Sequence, residues 1–205
     1  MTATLYLDCG HGWKGESQGY DPGAVRPLAL PMSHHMTEAV IVRSYAACIM
    51  AECHRVGLPV VVVPELGRYA DRHAWVAHHL QDHGIGRAVY LQCHGNAGGG
   101  AYGLVEHDAR STRGAAVASS LAAALETGLG ALVSGYTART HGLAEGERGI
   151  TCIGAMYAIR GVCGLILEPG FIDGAAHGQL WTPAGQTAIA RAVVAGLLTG
   201  LGGAP

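Results

Sequence analysis

An α/β fold is predicted for this 205-residue chain. Short apolar runs alternate along it with helical stretches. The runs are nearly continuous in apolar residues, as strands covered on both faces are. No internal repeat and no Pro- or Ser-rich linker divides the chain. The expected architecture is a mainly parallel central sheet of about five or six strands with helices on both faces, in a single domain.

The strands are read at Thr4–Cys9, Pro59–Val63, Ala88–Cys93, Tyr102–His107 and Val162–Glu168. Helical periodicity fills the intervals at Thr37–Arg55, Tyr69–His83, Ser111–Leu129 and Pro183–Leu198, with Pro183 suited to a helix's opening turn. A chain of this length buries roughly 70% of its extended surface, enough for one substantial core.

Composition removes several classes of function. With 13 Lys+Arg against 15 Asp+Glu and a pI near 6.6, there is no basic stripe for a phosphate backbone, so nucleic acid is not an expected partner. Six cysteines are scattered without a C-x-x-C pair and read as reduced, mostly buried thiols. The apolar segments around Ala115–Val133 and Ala188–Leu201 contain Glu126 and Arg191, so no membrane insertion is expected. No basic region followed by an apolar one opens the chain: Leu5–Leu7 is already interrupted by Asp8. Synthesis in the cytoplasm without a signal peptide is the expectation.

The chemistry gathers where strands end and a helix begins. At the exit of the first strand, Gly10 and Gly12 flank His11, which places its ring above the sheet edge where ligands of open α/β sheets collect. Glu38 falls in the first turn of the next helix, on the face of Ile41 and Tyr45. A carboxylate facing the core needs a cation or strong donors to offset its desolvation. A carboxylate complementing the helix dipole from solvent is the other reading of the same residue. Alternation along Ala88–Cys93 delivers His94 at that strand's end, before Gly95, Asn96 and Gly98–Gly100. The triple glycine lacks the Lys-Ser/Thr ending of a phosphate-binding loop. Cys163–Leu167 is an apolar strand that delivers Glu168 with little polar company. Two imidazoles and a carboxylate hold a hydrolytic zinc ion, and a spare carboxylate can serve it as a base.

These motifs, in this order, resemble the zinc-dependent N-acetylmuramoyl-L-alanine amidases often called type 3, which occur in cell-wall remodelling enzymes and phage endolysins. The resemblance rests on Asp8-Cys9-Gly10-His11-Gly12, Asp21-Pro22-Gly23-Ala24, Glu38, Gln92-Cys93-His94-Gly95-Asn96 and Glu168-Pro169-Gly170-Phe171-Ile172, with Arg72 and Arg148-Gly149 in further agreement. Departures are Cys9 for proline, Cys93 for isoleucine, Gly95 for alanine and Thr37 for the lysine before the helix glutamate. None removes a candidate ligand.

The resemblance implies Zn²⁺ held by His11, Glu38 and His94, with Glu168 as general base and then general acid. It also implies a peptidoglycan substrate, cut between N-acetylmuramic acid and L-alanine. Residues 1–205 would form the catalytic domain, without a separate wall-binding domain, in the manner of a phage endolysin. Two other readings stand beside it. His35-x-x-Glu38 followed by His94 also has the ligand spacing of zinc carboxypeptidases, and a non-catalytic peptidoglycan-binding module would keep the same fold. His73, His78, His79 and His83 share one helix and read as surface or packing residues. Cys9 and Cys93 point away from the ligands and read as packing. Arg139 and His141 stay outside the site.

Overall fold

The computed structural model describes residues 3–13, 19–26 and 36–202. Six strands form the main sheet: β1 (Thr4–Cys9), β2 (Val60–Val62), β3 (Ala88–Cys93), β4 (Tyr102–Asp108), β5 (Thr137–Leu143) and β6 (Val162–Glu168). Their spatial order is β2-β1-β3-β6-β4-β5. The first four in that order are mutually parallel, β4 runs antiparallel to β6, and β5 runs parallel to β4. The α/β class expected from the sequence, with its mainly parallel sheet, is the one observed.

Five α-helices connect these strands: α1 (Glu38–Val56), α2 (Tyr69–Asp82), α3 (Thr112–Leu129), α4 (Ile150–Tyr157) and α5 (Pro183–Gly200). A 3₁₀ helix covers Ala175–Trp181. Local chemistry sets their limits. Gly57, at φ 74°, closes α1 in the left-handed conformation that a side chain resists. The Ser111 and Thr182 hydroxyls accept from Gly114 N and Gly185 N to cap α3 and α5. Expected and observed ends coincide or differ by at most two residues. Strand β5, helix α4, the 3₁₀ helix and two short antiparallel ladders, Gly12–Trp13 with Tyr20–Asp21 and Val25–Arg26 with Met36–Thr37, were not expected.

Alternation along the strands divides the core between the two faces. Leu5, Leu7, Val89, Leu91, Leu165 and Leu167 pack with α1, α3 and α5. Tyr6, Ala88, Tyr90 and Ile166 pack with α2 and α4. Among the described residues no helix is long and apolar enough to cross a membrane.

This topology positions the site. From β1 the chain moves outward through α1 to β2 on one side, then returns through α2 to β3 on the other side of β1. The two crossovers therefore part company between β1 and β3. The crevice beyond the carboxyl ends of strands at such a reversal is where open α/β sheets bind ligands. His11 follows β1, His94 follows β3, and Glu168 ends the adjoining strand β6.

Candidate metal centre

His11, Glu38 and His94 converge in that crevice, each offering one ligand atom, and these atoms all lie within 4.8 Å of one another. Glu38 Oε1 lies 2.9 Å from His11 Nε2 and 3.0 Å from His94 Nδ1. The two rings meet edge to face, with centroids 4.8 Å apart. Glu38 is buried, and Ile41 and Tyr45 are buried beside it on α1, as the helical spacing indicates.

The outer nitrogen of each ring is occupied. His11 Nδ1 donates to Asp21 Oδ2 at 2.8 Å, and His94 Nε2 lies 3.2 Å from Gln92 Oε1. Gln92 in turn donates through Nε2 to Asp8 Oδ2 at 3.2 Å, which directs its carbonyl oxygen toward the ring. With those outer N–H groups engaged, a neutral imidazole leaves a bare nitrogen facing Glu38 in both cases. Two bare nitrogens and a carboxylate oxygen are all acceptors. Such a group is stable only around protons or a cation, so the donor set fits a divalent metal.

Ionisation without a cation follows the same logic. Burial pushes the Glu38 carboxyl up, but hydrogen bonds from His11, His94 and the Ala24 amide outweigh it and hold the group well below the usual carboxylate range. Burial pulls His11 down, and its contacts with Glu38 and Asp21 more than reverse this, leaving its pKa raised. Metal binding must displace these protons.

Backbone from the Asp21–Ala24 turn and from Gly95 completes the cradle. Ala24 N donates to Glu38 Oε2 at 3.0 Å, Gly95 N donates to Glu38 Oε1 at 3.0 Å, and Glu38 N donates to Ala24 O at 2.8 Å. Gly23 sits at φ 65°, and a Cβ there would lie 2.6 Å from Glu38 Oε2 and 2.8 Å from His11 Cδ2. Only glycine fits. Gly10 is constrained by space alone: a Cβ would lie 2.1 Å from His94 Nε2. A Gly10→Ala variant is expected to fold but displace that ring, lowering metal affinity about 10–100-fold in a competitive chelator titration.

Glu168 ends β6 on the face of Ile166, next to the His94 strand: His94 N donates to Leu167 O at 2.8 Å. Burial, then the Glu106 and Glu38 carboxylates, push its pKa up to about 7, while Arg148 pulls against them. A carboxyl so shifted beside a metal-type donor set is suited to proton transfer near neutrality. Glu106 was not singled out in the sequence. The available signal was a carboxylate directly after the apolar pair Leu104–Val105 in β4.

The histidines of α2 form no second cluster of three ligands among the described residues. His73 is buried against Cys152 O at 2.8 Å, and His79 stacks on His83 with centroids 4.0 Å apart. Cys93 belongs to the core under α1, and Cys9 packs against it partly buried. Arg139 and His141 lie exposed on β5, the first over the Tyr102 ring and the second 3.4 Å from Glu147. His35, the ligand of the carboxypeptidase reading, lies outside the described residues.

Known structures share the fold. The CwlD amidase of Clostridioides difficile, solved in complex with the GerS lipoprotein, superposes with a TM-score of 0.70 at 15% identity, over 98% of this chain and 99% of that one. The fold is that of the N-acetylmuramoyl-L-alanine amidases. The catalytic domain of the CD27L endolysin, which targets Clostridia difficile, has the amidase fold with a TM-score of 0.64 at 16% identity, over 96% of this chain and 97% of that one. Cwp6 from Clostridium difficile matches over 97% of this chain with a TM-score of 0.69 at 16% identity, and the chain spans 29% of its length. The sequence matches no family model and no curated protein.

Proposed function

We propose that the protein is a zinc-dependent N-acetylmuramoyl-L-alanine amidase with residues 1–205 as its catalytic domain, hydrolysing the amide between the lactyl group of N-acetylmuramic acid and L-alanine of the stem peptide. The observation that carries the reading is the convergence of His11, Glu38 and His94, with the raised carboxyl of Glu168 one strand away, on the amidase fold. Zinc held by two imidazoles and one carboxylate supplies a Lewis acid for the scissile carbonyl and makes water more acidic.

The chain's own groups do the rest. Asp21 and Gln92 fix the tautomer and tilt of the two rings. Glu168 accepts a proton from the attacking water and returns it to the departing amine, a poor leaving group without one. Glu106 and Arg148 set the basicity of Glu168 from opposite directions. Likeness of fold to the catalytic domain of an endolysin supports a bacteriolytic role for this activity.

Purified peptidoglycan embedded in a gel tests the reading. Clearing is expected with zinc and should vanish on chelation and return on re-addition. Mass spectrometry of the soluble products should show peptides with a free L-alanine amino terminus. Release of a terminal stem residue instead would indicate a carboxypeptidase, and binding without clearing a non-catalytic module. Permeabilised bacteria should lyse when the protein is added.

A further inference from the structure

We propose that Trp13 and Tyr20 form a platform that binds a hexosamine ring of the glycan strand, a sugar subsite on the rim of the metal centre. The assignment rests on the amidase reading for its substrate and on independent geometry for its place. Trp13 and Tyr20 are direct partners across a two-residue antiparallel ladder, Gly12–Trp13 with Tyr20–Asp21. That ladder carries the centre itself. Gly12 follows His11, and Asp21 is the acceptor that orients the His11 ring. A group bound at the ladder therefore lies within reach of the reacting bond.

The two rings are exposed, yet their position is built. Trp13 is 46% and Tyr20 49% exposed, among the largest apolar side chains left open on the described surface. Beneath them runs an ion pair, Arg43 Nη2 to Glu65 Oε1 at 2.7 Å. Arg43 donates through Nη1 to the Tyr20 hydroxyl at 3.1 Å, and its guanidinium lies 5.6 Å from the Tyr20 ring centroid. Glu65 accepts from Trp13 N at 3.3 Å. Gly12 lets the ladder settle on this pair, because a Cβ there would lie 2.4 Å from Arg43 Nη2. Arg43 of α1 thus holds the Tyr20 side chain at the surface, and Glu65 in the loop after β2 fixes the Trp13 backbone beside it.

Exposed aromatic rings are suited to a ligand that is apolar on its faces and polar at its edge. A pyranose ring meets that description: its face presents C–H hydrogens to the electron-rich ring, and its hydroxyl and acetamido groups remain in water. The proposed substrate supplies such a ring, because the scissile amide hangs from the lactyl group of a hexosamine. A stem peptide alone does not.

Calorimetric titration of the zinc-loaded chain with peptide-free glycan strands, and with the β-1,4-linked tetramer of N-acetylglucosamine, tests the platform without requiring turnover. Wild-type protein is expected to bind both. Trp13→Ala combined with Tyr20→Ala should weaken binding at least about tenfold, while Trp13→Tyr and Tyr20→Phe, which keep the rings, should stay within about threefold of wild type. Unchanged zinc content and thermal midpoint establish that the double variant is folded. The platform is overturned if wild type binds neither glycan, or if the double variant binds as wild type does. Cleavage of muropeptides followed in parallel separates the two ideas. Glycan binding that depends on the rings without any cleavage keeps the platform and removes the amidase reading, whereas cleavage with ring-independent binding does the reverse.

Discussion

Replacing Glu168 by glutamine is expected to lower amidase turnover about 10²–10⁴-fold while leaving zinc content unchanged. The loss follows from the role: glutamine keeps the shape of the side chain but neither takes a proton from water nor returns one to the amine. Retained metal follows from position, because Glu168 stands outside the three converging ligands. The metal-free variant should also be more stable than metal-free wild type at pH 8. Burial and two neighbouring carboxylates raise the folded pKa of Glu168 to about 7, above its ordinary value. A raised carboxyl pKa means that the folded state binds the proton more tightly than the unfolded chain does. The penalty for ionising it is therefore fully present above about pH 7, shrinks as pH falls through that value, and is absent below the ordinary carboxyl range near 4.5. Allowing for partial exposure, the gain is about 2 kcal/mol at pH 8. Urea denaturation of both metal-free proteins at pH 8 and pH 4.5 measures it. A variant that still turns over would remove Glu168 from the reaction.

The parts of the fold that could be read directly from the sequence are those that both faces of the sheet bury. Strands β1, β3 and β6 are almost wholly buried, so apolar continuity marks them. Strand β5 carries no such mark. It lies at the sheet edge with only Leu143 buried, and its residues Thr137, Arg139, Thr140 and His141 face solvent. What makes it a strand is pairing with β4, a non-local fact. Helix α4 spans only eight residues, Ile150–Tyr157, and a short apolar run does not distinguish helix from strand.

The candidate ligands were legible for a related reason: each stands at a junction between elements, where periodicity places it without knowledge of the tertiary structure. Their supports were not. Asp21 reaches His11 across ten positions of chain that local periodicity does not govern. The coupling of Glu106 to Glu168 depends on the antiparallel register of β4 with β6, in which Glu106 faces Ile166. Gln92 offered a clue in being an amide inside an apolar strand, since a buried amide must find partners. Which partners it finds, Asp8 and His94, is decided by neighbouring strands and the strand's own exit.

Arg72 supplies the largest expected effect on stability. Its side chain is fully buried, donating through Nη1 to Asp8 Oδ1 and to Cys9 O, both at 2.7 Å. Asp8 also accepts from Tyr90 and Gln92, so one buried carboxylate ties α2 to β1 and β3. Burial pushes the Asp8 carboxyl up, and Arg72, Tyr90 and Gln92 pull against it. Arg72→Met fills much of the same space and leaves the carboxylate without its cation, which is expected to cost about 3–5 kcal/mol at pH 8. Without the guanidinium the Asp8 pKa rises further. The deficit is then complete above that folded pKa and shrinks as pH falls below it, because the folded state holds the proton more tightly. Adding Asp8→Asn to Arg72→Met should recover part of the loss, since a neutral amide does not require the cation. Gln92 would then face an amide in place of a carboxylate, and the orientation of His94 would loosen through it. The double variant is therefore expected to regain stability in urea while binding zinc about tenfold more weakly than wild type, separating the structural work of this network from its positioning of the ligand.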